Sequence, residues 1–503
     1  MSQDNGHSVS RRAFLRGAAG TAAAATIPSS GAAVHLPAAR STKRPLNVLF
    51  LMSDDMRVEL ASYGSRFNVH SPNIDRLGSQ GIRFDRNYCQ FPLCNPSRSS
   101  LLTGRVPLET RVLDNRTGVR DLHPDWTTLP QLFREHGYTT FRGGKIFHGG
   151  LDDHKAWTDF YGETESLHPT AEGTRMNIPR EAIPRPDGVV PPFPHDERAL
   201  HSDEILVLQG NGEGAGDYLV ADLAIQYLRR CRNEPFFIAC GFSKPHSPPT
   251  APQRFFDLYD PARIQLPPDF AAWPTVPPGF PAAAIRPRNA DLFIGRGASE
   301  SEAKQVIRAY LASISWADWN LGRVMAELDQ LGLRDKTLVV FVADHGYQLG
   351  EKGKWSKAGS LFEQGTRVPL IIHAPDAQGN GRPCLRVVQS LDLYRTIAGL
   401  CGLDVPVATE GTNISVLLSD PQVAWDQPAC SIWSEDGTTV HGTAIRTEQW
   451  RYAEFGKNAA NGAMLFDVHA DPLELQNLAN NPVHADVVHA LSKQVNAYSY
   501  STG

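Results

Sequence analysis

Residues 47–52 (NVLFLM) form an unbroken apolar run that stops abruptly at Ser53-Asp54-Asp55. A run with no polar alternation suits a strand covered on both faces, the condition inside a parallel sheet. Residues 235–242 (PFFIACGF), 337–343 (TLVVFVA) and 369–373 have the same character, and 82–88 and 138–141 read as further strands. Helical spacing lies between them. Ser71-Pro72-Asn73 opens a helix that runs through Leu77 and is stopped by Gly81; Thr128 opens another, with Leu129, Leu132 and Phe133 on one face, ending at Gly137. Val306, Tyr310, Ile314, Ala317, Leu321, Val324 and Leu328 recur at intervals of three and four, one face of a long helix that leads into the 337–343 strand. Strands alternating with helices predict an α/β fold on a doubly wound sheet, where ligands bind beyond the carboxyl ends of the strands. The first strand ends in Asp54-Asp55 and a much later one in Asp344-His345, so both clusters are expected at the same sheet edge.

Two stretches break the pattern: roughly 163–216, and 247–297, in which eight prolines fall between Pro261 and Pro287. Long irregular segments in a compact fold commonly act as lids or pocket walls, so these are assigned to substrate selection. Beyond Pro421 the runs 444–455 and 464–467 predict a small strand-rich subdomain. At the other end, Ser10-Arg11-Arg12-Ala13-Phe14-Leu15 precedes a short stretch rich in alanine, which resembles a bacterial twin-arginine export signal with cleavage between Ala32 and Ala39. The chain thus divides into a leader over 1–40, a catalytic domain over 41–420 and a C-terminal subdomain over 421–503. A periplasmic or secreted protein is expected, with no membrane association after export, because no other stretch is apolar and long enough to span a bilayer.

Composition narrows the function classes. With 503 residues, 41% hydrophobic and 20% charged, the chain supports a large globular core and is neither disordered nor fibrous. A formal net charge of -5 with no Lys/Arg stripe supplies no field for nucleic acid, which is excluded as a partner. An anionic substrate must then be met by local positive charge. Seven cysteines, at 89, 94, 231, 240, 384, 401 and 430, are too scattered for a zinc knuckle or a dense disulfide framework. Pairing among the six other than Cys94 is left open by their spacing.

The sharpest motif is Cys94-Asn95-Pro96-Ser97-Arg98, continued through Ser99, Ser100, Leu101 and Leu102 to Thr103-Gly104. A cysteine followed by a proline and an arginine ahead of a helix is a setting where helix-end donors and a guanidinium favour an anion. A lone cysteine is ordinarily a buried, inert thiol. These eleven residues together, however, resemble the signature C-x-P-S-R-x-x-x-x-T-G of the sulfatases, whose cysteine is oxidised to formylglycine. The resemblance implies an alkaline-phosphatase-like α/β sandwich: a large mixed, mostly parallel sheet between helices, with a small C-terminal α+β subdomain. It also implies a formylglycine-generating enzyme as a transient partner.

Asp54, Asp55, Asp344 and His345 resemble the family's metal site, to which the modified Cys94 adds a further oxygen. Carboxylate oxygens suit a hard divalent cation, and the resemblance implies calcium. His345 stands where the commonest sulfatase pattern has asparagine, a departure shared with the iduronate-2-sulfatase and choline-sulfatase branches; imidazole also suits manganese or zinc, which leaves the metal's identity open. Gly144-Lys145-Ile146-Phe147-His148, Lys244-Pro245-His246 and Trp355-Ser356-Lys357 each match a short motif of the iduronate-2-sulfatase-like sulfatases. Carried over, the resemblance implies that Lys145 and Lys357 contact the sulfate oxygens, that His148 hydrogen-bonds the formylglycine diol, and that His246 protonates the leaving oxygen. Arg98 belongs to the same catalytic set. Residues 465–478, with Leu465-Phe466-Asp467 and Asp471-Pro472-Leu473-Glu474, resemble the family's tail pattern and carry no identified chemistry. The substrate implied is a sulfated sugar or small molecule. Two alternatives stand beside it: a phosphonate monoester or phosphodiester hydrolase, or a choline-sulfatase-like enzyme, of the same superfamily; and an inactive binding homologue with an unmodified Cys94.

Overall fold

The structure is a computed structural model and describes residues 45–161, 173–178, 180–192, 197–201 and 203–500. The predicted leader over 1–40 lies outside the described residues. Eight strands build the central sheet: β1 (Asn47–Asp54), β2 (Ile82–Tyr88), β3 (Thr139–Gly144), β4 (Asp159–Tyr161), β5 (Phe236–Pro245), β6 (Thr337–Ala343), β7 (Arg367–His373) and β8 (Pro383–Gln389). Their order is β8-β2-β7-β6-β1-β5-β3-β4. β1 lies at the centre, parallel to both β5 and β6. β7 runs antiparallel to β2 and β6, so the sheet is mixed but mostly parallel, in agreement with the resemblance.

Every residue of β1 and β6 is buried, which explains why their sequences show no polar alternation. Successive side chains of β1 serve opposite faces. Leu49 and Leu51 join the core beneath α4 (Gly216–Arg230) and α5 (Glu300–Gln330), together with Val306, Tyr310, Ile314, Leu321 and Leu328. Val48, Phe50 and Met52 join the opposite core, which includes Leu101 and Leu102 of α2 (Cys94–Thr103), Leu132 and Phe133 of α3 (Leu129–Glu135), and Leu393 and Ile397 of α6 (Asp392–Leu400). The sheet is therefore sandwiched between helices.

The long helix α5 begins at a capping box. The Ser299 hydroxyl accepts from the Glu302 amide at 3.2 Å, and Glu302 accepts from the Ser299 amide at 3.1 Å, satisfying amides that have no intrahelical partner. The first helix, α1 (Pro72–Gln80), starts at Ser71 as its sequence suggests, but Ser71 does not cap it. Asp318 of α5 does so instead, accepting from the amides of Asn73 and Ile74 at 3.0 and 2.7 Å. That cap crosses 244 residues, and no local motif announces it.

Beyond 421, the run 444–455 falls within two strands. Ala429–Trp433, Gly442–Arg446, Trp450–Phe455 and Ala463–Asp467 form an antiparallel sheet backed by α7 (Ala485–Tyr500). Of the two irregular stretches, the described part of the first contributes Gly173–Met176 and Ile205–Leu208 to a small sheet with Thr250–Pro252. The proline-rich second stretch wraps residues 350–357, with Asp269 paired to Lys352 at 2.8 Å and Asn289 accepting from the Trp355 amide at 3.0 Å. Among the described residues no helix is long and apolar enough to cross a membrane.

Candidate active site

Parallel pairing of β1 and β6 sets the two acidic clusters side by side. Ser53 lies in register with Ala343, so the chains that leave the sheet next are Asp54-Asp55 and Asp344-His345. The Asp344 amide still bonds to the Ser53 carbonyl at 3.2 Å, and Asp344 Oδ1 accepts from the amides of Asp55 and His345 at 3.3 and 2.9 Å. On the other side of β1, the tip of β5 runs into Lys244-Pro245-His246, and Ser53 donates to the Lys244 carbonyl at 2.6 Å. The end of β3 approaches β5 closely enough that a Cβ on Gly241 would lie 2.1 Å from the Lys145 carbonyl oxygen. Only glycine permits that contact, through which the Lys145 amide bonds to the Gly241 carbonyl at 3.0 Å.

Cys94 is the first residue of α2, and its sulfur lies 3.5 Å from Asp54 Oδ1 and 3.2 Å from His345 Nε2. The His148 ring favours the ionised form of that sulfur, and the sulfur in turn favours a charged His246. Lys145 Nζ is 2.5 Å from Asp54 Oδ2, and Lys357 Nζ is 3.1 Å from Asp55 Oδ2 and 3.2 Å from Asp291 Oδ1. The candidate site residues named from the sequence thus gather at one edge of the sheet.

Arg98 is fully buried, as Asp54, Asp344 and His345 are. Its guanidinium donates to Asp344 Oδ2 at 2.8 Å and to the carbonyls of Lys145 and Ile146, and lies 3.5 Å from Asp54 Oδ2. Ser97 donates to the Asp344 carbonyl at 2.5 Å. The signature helix therefore ties three separate strand tips together through Arg98.

The electrostatics are those of opposed charges held out of water. Burial opposes ionisation of the Cys94 thiol, but Lys145, Lys357 and His345 outweigh it and hold the thiol well below its usual range. Burial pushes Asp55 up to about 6 despite Lys357 and the two histidines. His345 is disfavoured as a cation by burial, yet Asp344 and Cys94 push it up to about 10.

The donor set fits a cation. Donor atoms of Asp54, Cys94, Asp344 and His345 all lie within 4.8 Å of one another, and Asp54, Asp55 and His246 form an overlapping group. Asp55 Oδ1 is buried with no hydrogen-bond partner, facing His345 Nδ1 at 3.3 Å. Three carboxylates with one imidazole match a hard or borderline divalent ion.

Three supporting residues have no sequence signal of their own. Tyr310 donates to the Asp55 carbonyl at 2.7 Å from α5, where its spacing marks it only as core. Arg57 donates to the Tyr347 carbonyl at 3.2 Å and to Glu351 at 2.8 Å, joining the two acidic turns. Asp291 lies in the proline-rich segment, which sequence singles out as a wall and not as a source of charge.

Comparison with known proteins agrees with this geometry. The family model described as Sulfatase matches residues 46–403, and one described as N-sulphoglucosamine sulphohydrolase, C-terminal, matches residues 350–500. The chain is 31% identical to iduronate 2-sulfatase of Homo sapiens, over 90% of this chain and 94% of that protein. Two solved structures share the fold. One, in complex with its substrate D-glucosamine-2-N,6-O-disulfate, has a TM-score of 0.69 at 20% identity, covering 91% of this chain and all of the other. The second, a phosphonate monoester hydrolase from Silicibacter pomeroyi, has a TM-score of 0.68 at 23% identity, covering 89% and 94%. With its signature helix, strand-end acids and full-length likeness, the chain belongs to the sulfatase family of sulfuric ester hydrolases.

Proposed function

We propose that this protein hydrolyses a carbohydrate sulfate monoester, with Cys94 converted to formylglycine as the nucleophile and one divalent cation, calcium, held by Asp54, Asp55, Asp344, His345 and residue 94. The reading is carried by one observation: the Cys94 sulfur, 3.2 Å from His345 and 3.5 Å from Asp54, stands where the oxygens of a converted side chain would meet the acidic cluster. The sugar substrate is supported by the 31% identity to iduronate 2-sulfatase over 90% of the chain.

A sulfate monoester resists hydrolysis because its negative charge repels nucleophiles and because an alkoxide leaves poorly. Hydrated formylglycine would supply two hydroxyls on one carbon, one to attack sulfur and one to expel sulfate afterwards. The cation would supply neutralisation of charge next to the attacking oxygen. Lys145 and Lys357 would hold the sulfate oxygens, their ammonium groups kept charged by Asp54, and by Asp291 and Asp55, against burial. His148 would bond to the hydroxyl not engaged in attack. His246 lies 3.9 Å from Asp55, and the charges of Asp55 and Asp54 raise its pKa against burial and Lys357, which favours the protonated ring that would deliver a proton to the departing oxygen.

Conversion of Cys94 requires a formylglycine-generating enzyme. The Arg11-Arg12 leader supports export by the twin-arginine route to the periplasm or beyond, after folding and conversion inside the cell. Peptide mass spectrometry of the purified protein, with turnover of an aryl sulfate and an aryl phosphonate, tests the proposal. Formylglycine at position 94 and preference for the sulfate are expected; an active protein with an intact thiol would refute it.

A further inference from the structure

Lys357 is held by two acids from different parts of the chain. Asp55 follows the first strand, whereas Asp291 belongs to the proline-rich segment, and both lie close to Nζ, at 3.1 and 3.2 Å. The Lys357 side chain is 3% exposed and that of Asp291 7%, so water cannot replace either partner cheaply.

Asp291 does not depend on Lys357 for its own placement. Residues 286–292 are fastened along 353–357 by a series of bonds. Lys354 Nζ donates to the carbonyls of Arg286 and Arg288 at 3.2 and 2.6 Å. The Trp355 amide donates to Asn289 Oδ1 at 3.0 Å, and the Leu292 amide to the Trp355 carbonyl at 3.2 Å. Ser356 then donates to Asp291 Oδ2 at 3.0 Å, which turns Oδ1 towards Lys357. The carboxylate is thus presented by a fixed scaffold.

We propose that Asp291 is a positioning residue for the sulfate site: it divides the pull on the Lys357 ammonium and stops it from settling entirely on Asp55, which the cation needs. A lysine has a long flexible stem and a point charge, so one buried carboxylate alone would draw it in and partly neutralise that carboxylate. With two, the ammonium stays between them and remains available to an anionic oxygen. The proline-rich segment then acts on catalysis itself, besides walling the pocket. This rests on the proposed role of Lys357 in contacting the sulfate.

The test is a double-mutant cycle on the full-length protein with Asp291→Asn, Lys357→Met and the pair, measuring kcat and KM on an aryl sulfate and an aryl phosphonate, and the affinity for inorganic sulfate by calorimetry. Asp291→Asn alone is expected to lower kcat/KM about ten-fold or more, chiefly through kcat, and to weaken sulfate binding. In the Lys357→Met background it should change either quantity by less than about two-fold, since the group through which it acts is gone. Asp291→Glu should recover part of the loss. Equal losses in both backgrounds would overturn the proposal, leaving Asp291 as a mere fastener of Ser356. A wild type that turns over only the phosphonate would refute the sulfate assignment, while the cycle on that substrate and on sulfate binding would still decide the part played by Asp291.

Discussion

The sulfur of Cys94 lies 3.2 Å from Nε2 of His345, a residue 251 positions further along the chain. The contact joins the signature helix to the acidic strand tips, so the proposed nucleophile and the proposed cation ligands form one site. Removing the cation should therefore disable turnover and loosen the fold together. Dialysis against a chelator is expected to abolish activity and lower the unfolding midpoint, and calcium should restore both. A cation at 100 times its Kd stabilises the folded state by about 2.7 kcal/mol. A chelated protein of unchanged activity and midpoint would remove the cation from the account.

Cys94→Ala should abolish turnover and leave stability within about 1 kcal/mol of wild type, because the change removes one atom from a site whose other charges stay paired. Denaturant unfolding checks the second half. In the wild type, the peptide that carries position 94 should weigh about 18 Da less than its cysteine form, the difference between CH2SH and CHO.

Arg98→Ala should cost about 3–5 kcal/mol, the range for taking one partner from a buried ion pair. Asp344 would lose its 2.8 Å partner, and the carbonyls of Lys145 and Ile146 would be left without a donor. Urea unfolding would show this as a lower midpoint. A loss of activity with unchanged stability would point to contact with substrate instead.

His246→Ala should slow alkyl sulfate esters by about 100-fold or more and aryl sulfates less, because a phenolate leaves without needing the proton. Comparing kcat for the two ester classes in the variant checks this, and equal losses on both would discredit the proton-donor role.

Asp318 gives a stability effect remote from the site. Burial pushes its carboxyl up to about 7, against the bonds it accepts from Ile74 and Asn73. A group whose folded pKa is raised stabilises fully below its unfolded pKa, about 3.9, and that contribution is lost as pH climbs through the folded value. Stability should therefore fall between about pH 4 and pH 7 on this account, and Asp318→Asn, which keeps an acceptor for α1, should flatten that part of the profile. Unfolding measured across the range in both proteins decides it.

What the sequence by itself determined was local. The apolar runs that became β1, β5 and β6 were legible because a strand buried on both faces tolerates no polar alternation, and α5 because a face packed on the sheet must repeat at three and four. The signature around Cys94 and the acids at two strand tips were legible for the same reason: each lies within a few consecutive residues. Tertiary structure decided everything that depends on which elements become neighbours. Register between β1 and β6 placed Asp344 beside Asp55, Arg98 turned inward to bind three strand tips, and α5 reached across the core to cap α1 with Asp318. Asp291 and Arg57 belong to this second group, since a charge in a loop looks the same in sequence whether it faces water or a buried lysine. The physical reason is that backbone preference and hydrophobic period act over a turn or a pleat, whereas the partner of a buried charge is chosen only when sheet order brings distant segments within a few ångströms.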